Sequence, residues 1–350
     1  MLYALLNRLI RYAVNHGVPP ERILSRARAC GVLPYLYAGI RQNQILCSET
    51  GMPEASLERQ IASFRIEQTA RLGLWYYSLG EIVRAIGDEH IVLKGAPLGQ
   101  VLMSDALWRG TSDIDIWVPY DQREHVQKCC QSLGYEVGAE PHLWATNQMI
   151  LKHKRLVPVE IHWALAPQPW ISPSFEEAFA RSRMIDSARG QAVRILGDAD
   201  LYLNLLVHAH QHYFSLKTLC DLAIAQEKLD KPEALLAACH LRKLDRFVVD
   251  LFGALLSEGG GAKSYLAHLW FDPLLSDTRR GTMVFAEGDA RYAAPGVALR
   301  AISMCLLDGT AISADAALQV IFCGPHSVGR ICHAPYRALR RVCGPVIGIE

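Results

Sequence analysis

The first quarter of the chain has helical periodicity. Residues 1–48 predict short helices, broken at Gly17-Val18-Pro19-Pro20 and again from Gly31 to Pro34, because proline and glycine interrupt a helical pattern. Residues 55–86 carry apolar side chains at spacings of roughly three and four, which predicts one long amphipathic helix that ends at Gly87-Asp88. Its apolar positions are Leu57, Ile61, Phe64, Leu72, Trp75, Leu79, Ile82 and Ile86.

After this helix the pattern changes to that of strands. Ile91-Val92-Leu93 predicts a short buried strand, Gly95 permits a tight turn, and Ala96 to Met103 can begin a helix. The segment from Asp113 to Val118 alternates polar and apolar residues, which predicts a strand with one solvated face. Tyr120 to Leu133 then predicts a helix.

Two further strands and a series of helices follow. Met149 to His153 and Val157 to Trp163 predict a hairpin joined by the basic turn Lys154-Arg155. Beyond Pro167 the chain is largely helical, apart from a loop predicted from Asp272 to Pro295. The predicted helical segments are 174–183, 198–213, 215–229, 232–256, 297–308 and 313–322.

These elements predict an α+β fold, with a small mixed sheet and flanking helices plus a largely helical second domain. Since 350 residues exceed the usual size of one domain, we divide the chain into three parts. They are an N-terminal helical segment (1–86), a sheet-bearing domain (87–197) and a mostly helical C-terminal domain (198–350).

Composition and charge exclude several classes of protein. With 51% hydrophobic and 20% charged residues the chain can bury a core, which argues against disorder. The net charge of +1 gives no global field for nucleic acid or membranes, and we expect the basic tail after Gly324 to be solvated. Ten scattered cysteines without a C-x-x-C pair, and no long apolar run, predict a soluble cytoplasmic protein with reduced thiols.

Acidic residues on two predicted strands provide candidate metal ligands. Asp113 and Asp115 lie two positions apart, so both carboxylates leave one face of the strand, where their repulsion is relieved by a cation. Glu160 lies on a later strand and adds a third carboxylate. Hard oxygen ligands suit Mg²⁺, and three carboxylates can hold the two ions used in nucleotidyl transfer.

Residues upstream of these acids fit a phosphate site. Lys94 lies at a strand end, and Gly95-Ala96 expose free backbone N–H groups at a helix N-terminus. Arg109 can neutralise charge on the transferred phosphoryl group, and Ser112 can hydrogen-bond a phosphate oxygen.

The order of these motifs resembles a known family, the uncharacterised nucleotidyltransferase-like proteins of the polymerase-β nucleotidyltransferase superfamily, some of which accompany peptide natural-product genes. The resemblance runs from about residue 81 to residue 229. It rests on Leu93-Lys94-Gly95, Arg109, Asp113-Ile114-Asp115, Glu160-Ile161-His162-Trp163, His208, Lys217 and Cys220-Asp221-Leu222.

The resemblance implies a nucleotidyltransferase-type sheet with Asp113 and Asp115 as first metal ligands and Glu160 as the third carboxylate. It also implies that Lys217 and Asp221 face the nucleotide cleft.

The chain departs from the family pattern at the phosphate site. Gly95-Ala96 replaces the Gly-Ser usual in the superfamily, and Ser112 replaces a common glycine. Both departures fall on residues that are expected to bind phosphate.

The sequence predicts an enzyme that uses a nucleoside triphosphate with Mg²⁺, or Mn²⁺ as the alternative ion. It would transfer the nucleotidyl group to a hydroxyl or amine, on a peptide or small-molecule natural product, and release pyrophosphate. Two alternatives are open. A glycosyltransferase-like tailoring enzyme also uses D-x-D, to hold a metal and a nucleotide sugar, and an inactive binding module can keep the fold.

Ordinary structural roles are the alternatives for the basic residues and for Asp221. Lys94 can snorkel at a strand end, and Arg109 can form a surface salt bridge. Lys217 and Asp221, four positions apart on a helix, can form a surface ion pair.

The histidines have two interpretations. His162 either orients a metal ligand from the face of Glu160 or is a satisfied, half-buried histidine beside Trp163. His208 and His212 share a helix face without a third soft ligand, so zinc is not predicted there.

Overall fold

The computed structural model describes residues 1–256 apart from residues 16, 46–50, 52, 139–146, 166–171, 187–189, 191 and 212–214. Four helices come first, and the predicted breaks between them are confirmed: α1 (Leu2–Asn15), α2 (Pro20–Ala29), α3 (Leu33–Arg41) and α4 (Glu54–Ile86). Pro20 stands in the first turn of α2, where its missing N–H costs no helical hydrogen bond. Gly87 ends α4 with a φ of 83°, a conformation that glycine adopts without steric cost.

The strands form one seven-stranded mixed sheet in the order β3-β4-β5-β2-β1-β7-β6. Two neighbouring pairs, β2 with β5 and β1 with β7, are parallel, and the others are antiparallel. The predicted α+β fold with a mixed sheet is confirmed. The strands are β1 (Ile91–Val92), β2 (Ile114–Trp117), β3 (Glu136–Val137), β4 (Gln148–Lys152), β5 (Val159–His162), β6 (Arg183–Asp186) and β7 (Ala192–Ile195).

Three strands were not predicted. β3 has only two residues, too few for a periodic pattern. The predicted helix at 174–183 overlaps the start of β6, whereas the structure ends that helix at Arg181. β7 alternates buried and less buried residues over only four positions. It is stabilised by pairing with β1, which its own sequence pattern does not reveal.

The remaining helices confirm most of the periodic segments. A short 3₁₀ turn at Tyr120–Gln122 replaces the start of one predicted helix. The segment predicted as continuous at 232–256 is broken near His240, whose φ of 55° no helix accommodates. The helices are α5 (Ala96–Met103), α6 (Arg123–Ser132), α7 (Phe175–Arg181), α8 (Asp198–Gln211), α9 (Leu216–Lys228), α10 (Glu233–Ala238) and α11 (Arg242–Leu256). The helices predicted at 297–308 and 313–322, the loop predicted at 272–295 and the basic tail lie outside the described residues.

Helices cover both faces of the sheet. Ile114 and Ile116 of β2 point into a core that they share with α4 and α6. Trp117 points the other way, into a second core with residues of α8 and α9, and its ring meets Phe175 edge-on at 5.6 Å. The prediction of a solvated face on this strand is therefore wrong. Asp115 is 1% exposed, because helices distant in sequence cover its face.

Helices from both ends of the described chain share one core. α1 packs against α9 and α11, so the segment before the sheet contacts the segment after it. The division at residues 86 and 197 stays a prediction, and its third part is described only as far as Leu256. Within the described ranges, no helix has the length and apolar character needed to cross a membrane.

Candidate active site

The pairing of β2 with β5 brings three polar side chains together. The two strands are parallel, with Asp115 in register with Glu160 and Trp117 in register with His162. Residues in register on neighbouring strands point to the same face of a sheet, and so do residues two apart on one strand. Asp115, Glu160 and His162 therefore share one face, as the sequence pattern predicted for Glu160 and His162.

The three side chains are close enough to share one ion. His162 Nε2 lies 3.1 Å from Asp115 Oδ1 and 3.7 Å from Glu160 Oε2. One ligand atom from each residue lies within 4.8 Å of the other two. In the described parts of the chain, no other group of three histidine, cysteine or acidic residues comes this close together. The Glu160 side chain keeps 20% of its exposure against 2% for Asp115, so solvent reaches the site beside Glu160.

Asp113 lies next to this group but outside it. It precedes β2, and its backbone carbonyl accepts hydrogen bonds from Trp75 Nε1 at 2.7 Å and Thr111 Oγ1 at 3.0 Å. Burial, together with the nearby charge of Asp115, raises the pKa of the Asp113 carboxyl. The structure thus fixes the backbone of Asp113 near the cluster, and its role as a metal ligand stays a prediction.

The charges of the cluster are unequally stabilised. Burial opposes the ionisation of Asp115, but Lys94 and His162 outweigh it and hold the pKa of this carboxyl far below its usual range. Burial and the charge of Asp115 raise the pKa of Glu160 to about 8. Two carboxylates and an imidazole in this arrangement fit a divalent cation, because such an ion relieves the repulsion between the acids.

Lys94 is directed into the cluster. Its Nζ lies 2.9 Å from Asp115 Oδ1 and 3.4 Å from His208 Nδ1, and the side chain is 11% exposed. The alternative of a snorkelling lysine is therefore wrong. His208, on α8, was part of the family resemblance but was not predicted as a site residue, because helical periodicity does not reveal which strand end a helix crosses.

The turn after β1 is closely packed. Gly95 has a φ of 82°, and a Cβ at this position would lie 2.7 Å from the Trp75 ring. Only glycine fits both restrictions, and α5 begins at the next residue. The side chain of Ala96 is fully buried, so the predicted phosphate contacts at this turn would come from backbone N–H groups.

Arg109 is a buried residue that links three parts of the fold. Its Nε and Nη2 donate to the two carboxylate oxygens of Asp221 at 3.0 and 3.1 Å, and Nη1 donates to the carbonyl of Gly95 at 3.2 Å. Tyr35 donates to the same carboxylate at 2.6 Å. Arg109 is 4% exposed, so the alternative of a surface salt bridge is wrong. These contacts support the Gly95 turn, and phosphate binding by Arg109 and Asp221 stays a prediction.

Lys217 and Ser112 lie beside this network. Lys217 Nζ donates to the carbonyl of Gly110 at 3.1 Å, and burial together with the charge of Arg109 lowers the pKa of Lys217 to about 8. A surface ion pair with Asp221 is wrong, because Asp221 is buried and binds Arg109. Ser112 is exposed on the segment before β2. Phosphate contacts by both residues stay predictions.

The histidine run at the end of α8, where zinc is not predicted, is only partly described. His208 contacts Lys94 and His210 is buried, whereas residue 212 lies outside the described residues.

Comparisons with known proteins give one family match and a weak structural likeness. A family model described as "uncharacterised nucleotidyltransferase" matches residues 16–254. No curated protein matches the chain. Among solved structures, the solution structure of the antibiotic-resistance factor ANT(2'')-Ia aligns at 17% identity with a TM-score of 0.36, covering 53% of this chain and 97% of the other.

Proposed function

Since the chain belongs to the uncharacterised nucleotidyltransferase family, we propose that it transfers a nucleoside monophosphate from a nucleoside triphosphate to a hydroxyl or amine acceptor. An acceptor oxygen or nitrogen forms a bond to the α-phosphorus while the bond to the bridging oxygen breaks. Pyrophosphate leaves with the electron pair, and the acceptor loses its proton. The observation that carries this proposal is the pairing of Asp115 with Glu160 in adjacent parallel strands.

The acidic residues would hold the divalent cation. Asp113, Asp115 and Glu160 supply oxygen donors suited to Mg²⁺, with Mn²⁺ as the alternative ion. When bound, the ion would neutralise phosphate charge and activate the attacking group. Glu160 is the most exposed member of the close cluster, so the acceptor would approach from its side and could release its proton there.

The triphosphate would lie between Lys94, the Gly95-Ala96 turn, Ser112 and Lys217. Lys94 already carries its charge beside Asp115, and α5 begins at the turn with N–H groups that no helical carbonyl accepts. Lys217 lies close enough to Asp113 for that carboxylate to favour its charged form.

Arg109 and Asp221 would support nucleotide binding indirectly, through the Gly95 turn. Most of the donors of Arg109 already bind Asp221 and the Gly95 carbonyl. We therefore assign this pair the role of holding the turn in a shape that fits phosphate, because preorganised donors bind a ligand without an ordering cost.

The proposed acceptor is a peptide or a small-molecule natural product, and the test must identify donor and acceptor together. The full chain is incubated with each labelled triphosphate, Mg²⁺ and an extract of the host cell, and products are analysed by mass spectrometry. We expect one nucleotidyl mass to be added to an acceptor by the unaltered protein.

Two variants make this test specific. Glu160→Gln removes a carboxyl ligand from the cluster, whereas Asp121→Asn removes a carboxyl from an exposed residue outside it. Transfer should be lost in the first and retained in the second. Consumption of a nucleotide sugar instead of a triphosphate would identify a glycosyltransferase. A folded protein without Mg²⁺-dependent triphosphate binding would be an inactive binding module. Either result would refute the proposal.

A further inference from the structure

His162 has a geometry that a hydrogen-bonding role does not fully use. Its Nε2 faces two carboxylate oxygens, at 3.1 Å on Asp115 and 3.7 Å on Glu160. One N–H can be directed at only one of them. The other ring nitrogen, Nδ1, is buried and has no hydrogen-bond partner among the described residues. Among the described residues, the polar neighbours of the ring therefore lie at Nε2 and not at Nδ1.

The separations match those of ligands around one metal ion. Ligand atoms about 2.1 Å from an octahedral ion lie about 3 Å apart when adjacent and about 4.2 Å apart when opposite. The distances from His162 Nε2 fall within this range, and one atom from each of the three residues lies within 4.8 Å of the others. Lys94 Nζ, which lies 2.9 Å from the same Asp115 oxygen, would share or yield that oxygen when all three residues bind one ion.

The surroundings hold His162 in place. The residue is 5% exposed, and its backbone belongs to β5, which is paired on both sides by β2 and β4. Gln148, on β4, donates to Glu160 Oε2 at 3.1 Å and so restrains the neighbouring ligand. A donor on a central strand with its partners fixed satisfies the requirement for a preorganised ligand.

We propose that His162 binds the catalytic cation directly through Nε2, together with Asp115 and Glu160, and that this site consequently favours Mn²⁺ over Mg²⁺. The inference rests on the proposed function, because it assumes that the acidic cluster binds a divalent ion. The preference follows from ligand chemistry: Mg²⁺ takes oxygen donors almost exclusively, whereas first-row transition ions also bind imidazole.

Pulsed electron paramagnetic resonance of the Mn²⁺-loaded full chain tests the proposal without measuring activity. A directly bound imidazole gives a nitrogen hyperfine coupling to Mn²⁺. We expect this coupling in the unaltered protein, and we expect it to change when the protein is produced with isotopically labelled histidine. That comparison needs no substitution, so it does not depend on the folding of a variant.

Variants then assign the nitrogen. The coupling should be lost in His162→Gln and retained in His208→Gln, whose ring lies beyond Lys94, and in His125→Gln, on α6 outside the site. His162→Gln should also reduce the ratio of Mn²⁺ to Mg²⁺ affinity by about tenfold or more.

The outcomes separate this inference from the proposed function. Mn²⁺ bound at a site that Glu160→Gln weakens, but without nitrogen coupling, would overturn the role of His162 and leave the carboxylate site intact. Absence of saturable Mn²⁺ binding in the folded chain, with or without a triphosphate, would overturn both.

Discussion

The guanidinium of Arg109 donates two parallel hydrogen bonds to the carboxylate of Asp221, a residue 112 positions later in the chain. A third hydrogen bond from the same guanidinium reaches the Gly95 carbonyl, and Tyr35 donates to Asp221. The pair therefore connects α3 and α9 to the turn at which we propose that phosphate binds. It also keeps a buried cation and a buried anion mutually neutralised.

Asp221→Asn should destabilise the protein markedly. The substitution leaves the Arg109 guanidinium buried beside a neutral amide, and breaking a buried pair in this way costs about 3 kcal/mol or more. The free energy of unfolding from denaturant titration measures the loss. Glu67→Gln, which disrupts an exposed pair with Arg71, serves as the control and should have no comparable effect. Equal stabilities for the two variants would contradict the role given to Arg109.

Gly95→Ala should cost more than Gly87→Ala. The two glycines have nearly the same φ, 82° and 83°, but a Cβ at Gly95 would meet the Trp75 ring at 2.7 Å while nothing lies within 4 Å at Gly87. Backbone strain costs roughly 1 to 3 kcal/mol at either position, and the clash should add roughly 1 to 3 kcal/mol more at Gly95. Thermal unfolding gives both values. Triphosphate affinity should fall only in Gly95→Ala. An equal loss of triphosphate affinity in Gly95→Ala and Gly87→Ala would exclude a role for the Gly95 turn in phosphate binding.

Triphosphate affinity should decrease at alkaline pH because of Lys217. Burial and the charge of Arg109 lower the pKa of this lysine to about 8, while Asp221, Asp113 and Lys94 also act on it. A lysine with a lowered pKa is charged below that pH and neutral above it, so its attraction for phosphate is lost as pH rises through about 8.

We expect about a tenfold loss of affinity once Lys217 is neutral, since one hydrogen bond from a charged donor is removed. Fluorescence titration with a labelled triphosphate at saturating Mg²⁺ measures it. Lys217→Arg, which stays charged throughout, should abolish this dependence. A profile that is the same in both proteins would show that Lys217 does not bind phosphate.

Local pattern was sufficient to predict most of the fold. The helices before the sheet, the long helix α4 and the hairpin of β4 and β5 follow from periodicity and from glycine and proline positions. The strands β3, β6 and β7 were missed, because two to four residues carry little periodic signal and the stability of such strands comes from pairing. The covering of Asp115 was also missed, since the residues of α8 and α9 that bury its face lie far away in the sequence.

In the candidate site too, local pattern predicted some features, whereas contacts between distant parts of the chain were missed. Alternation along β5 predicted that Glu160 and His162 share a face. No sequence spacing indicates that Asp221 binds Arg109 or that His208 reaches Lys94, because those contacts depend on how helices cross the sheet. His162 was predicted at most to orient a ligand, and only the register of β2 with β5 reveals its distance from two carboxylates at once.

The central claim is that Asp115 and Glu160 hold a divalent cation that is required for triphosphate binding. Calorimetry of Mg²⁺ binding in the presence of a non-hydrolysable triphosphate tests this claim most directly. We predict saturable binding that Asp115→Asn and Glu160→Gln each weaken by about tenfold or more, because each removes a charged ligand, whereas Asp121→Asn leaves it unchanged. Circular dichroism establishes that each variant is folded. Equal Mg²⁺ affinity in the unaltered protein and in all three folded variants would contradict the account.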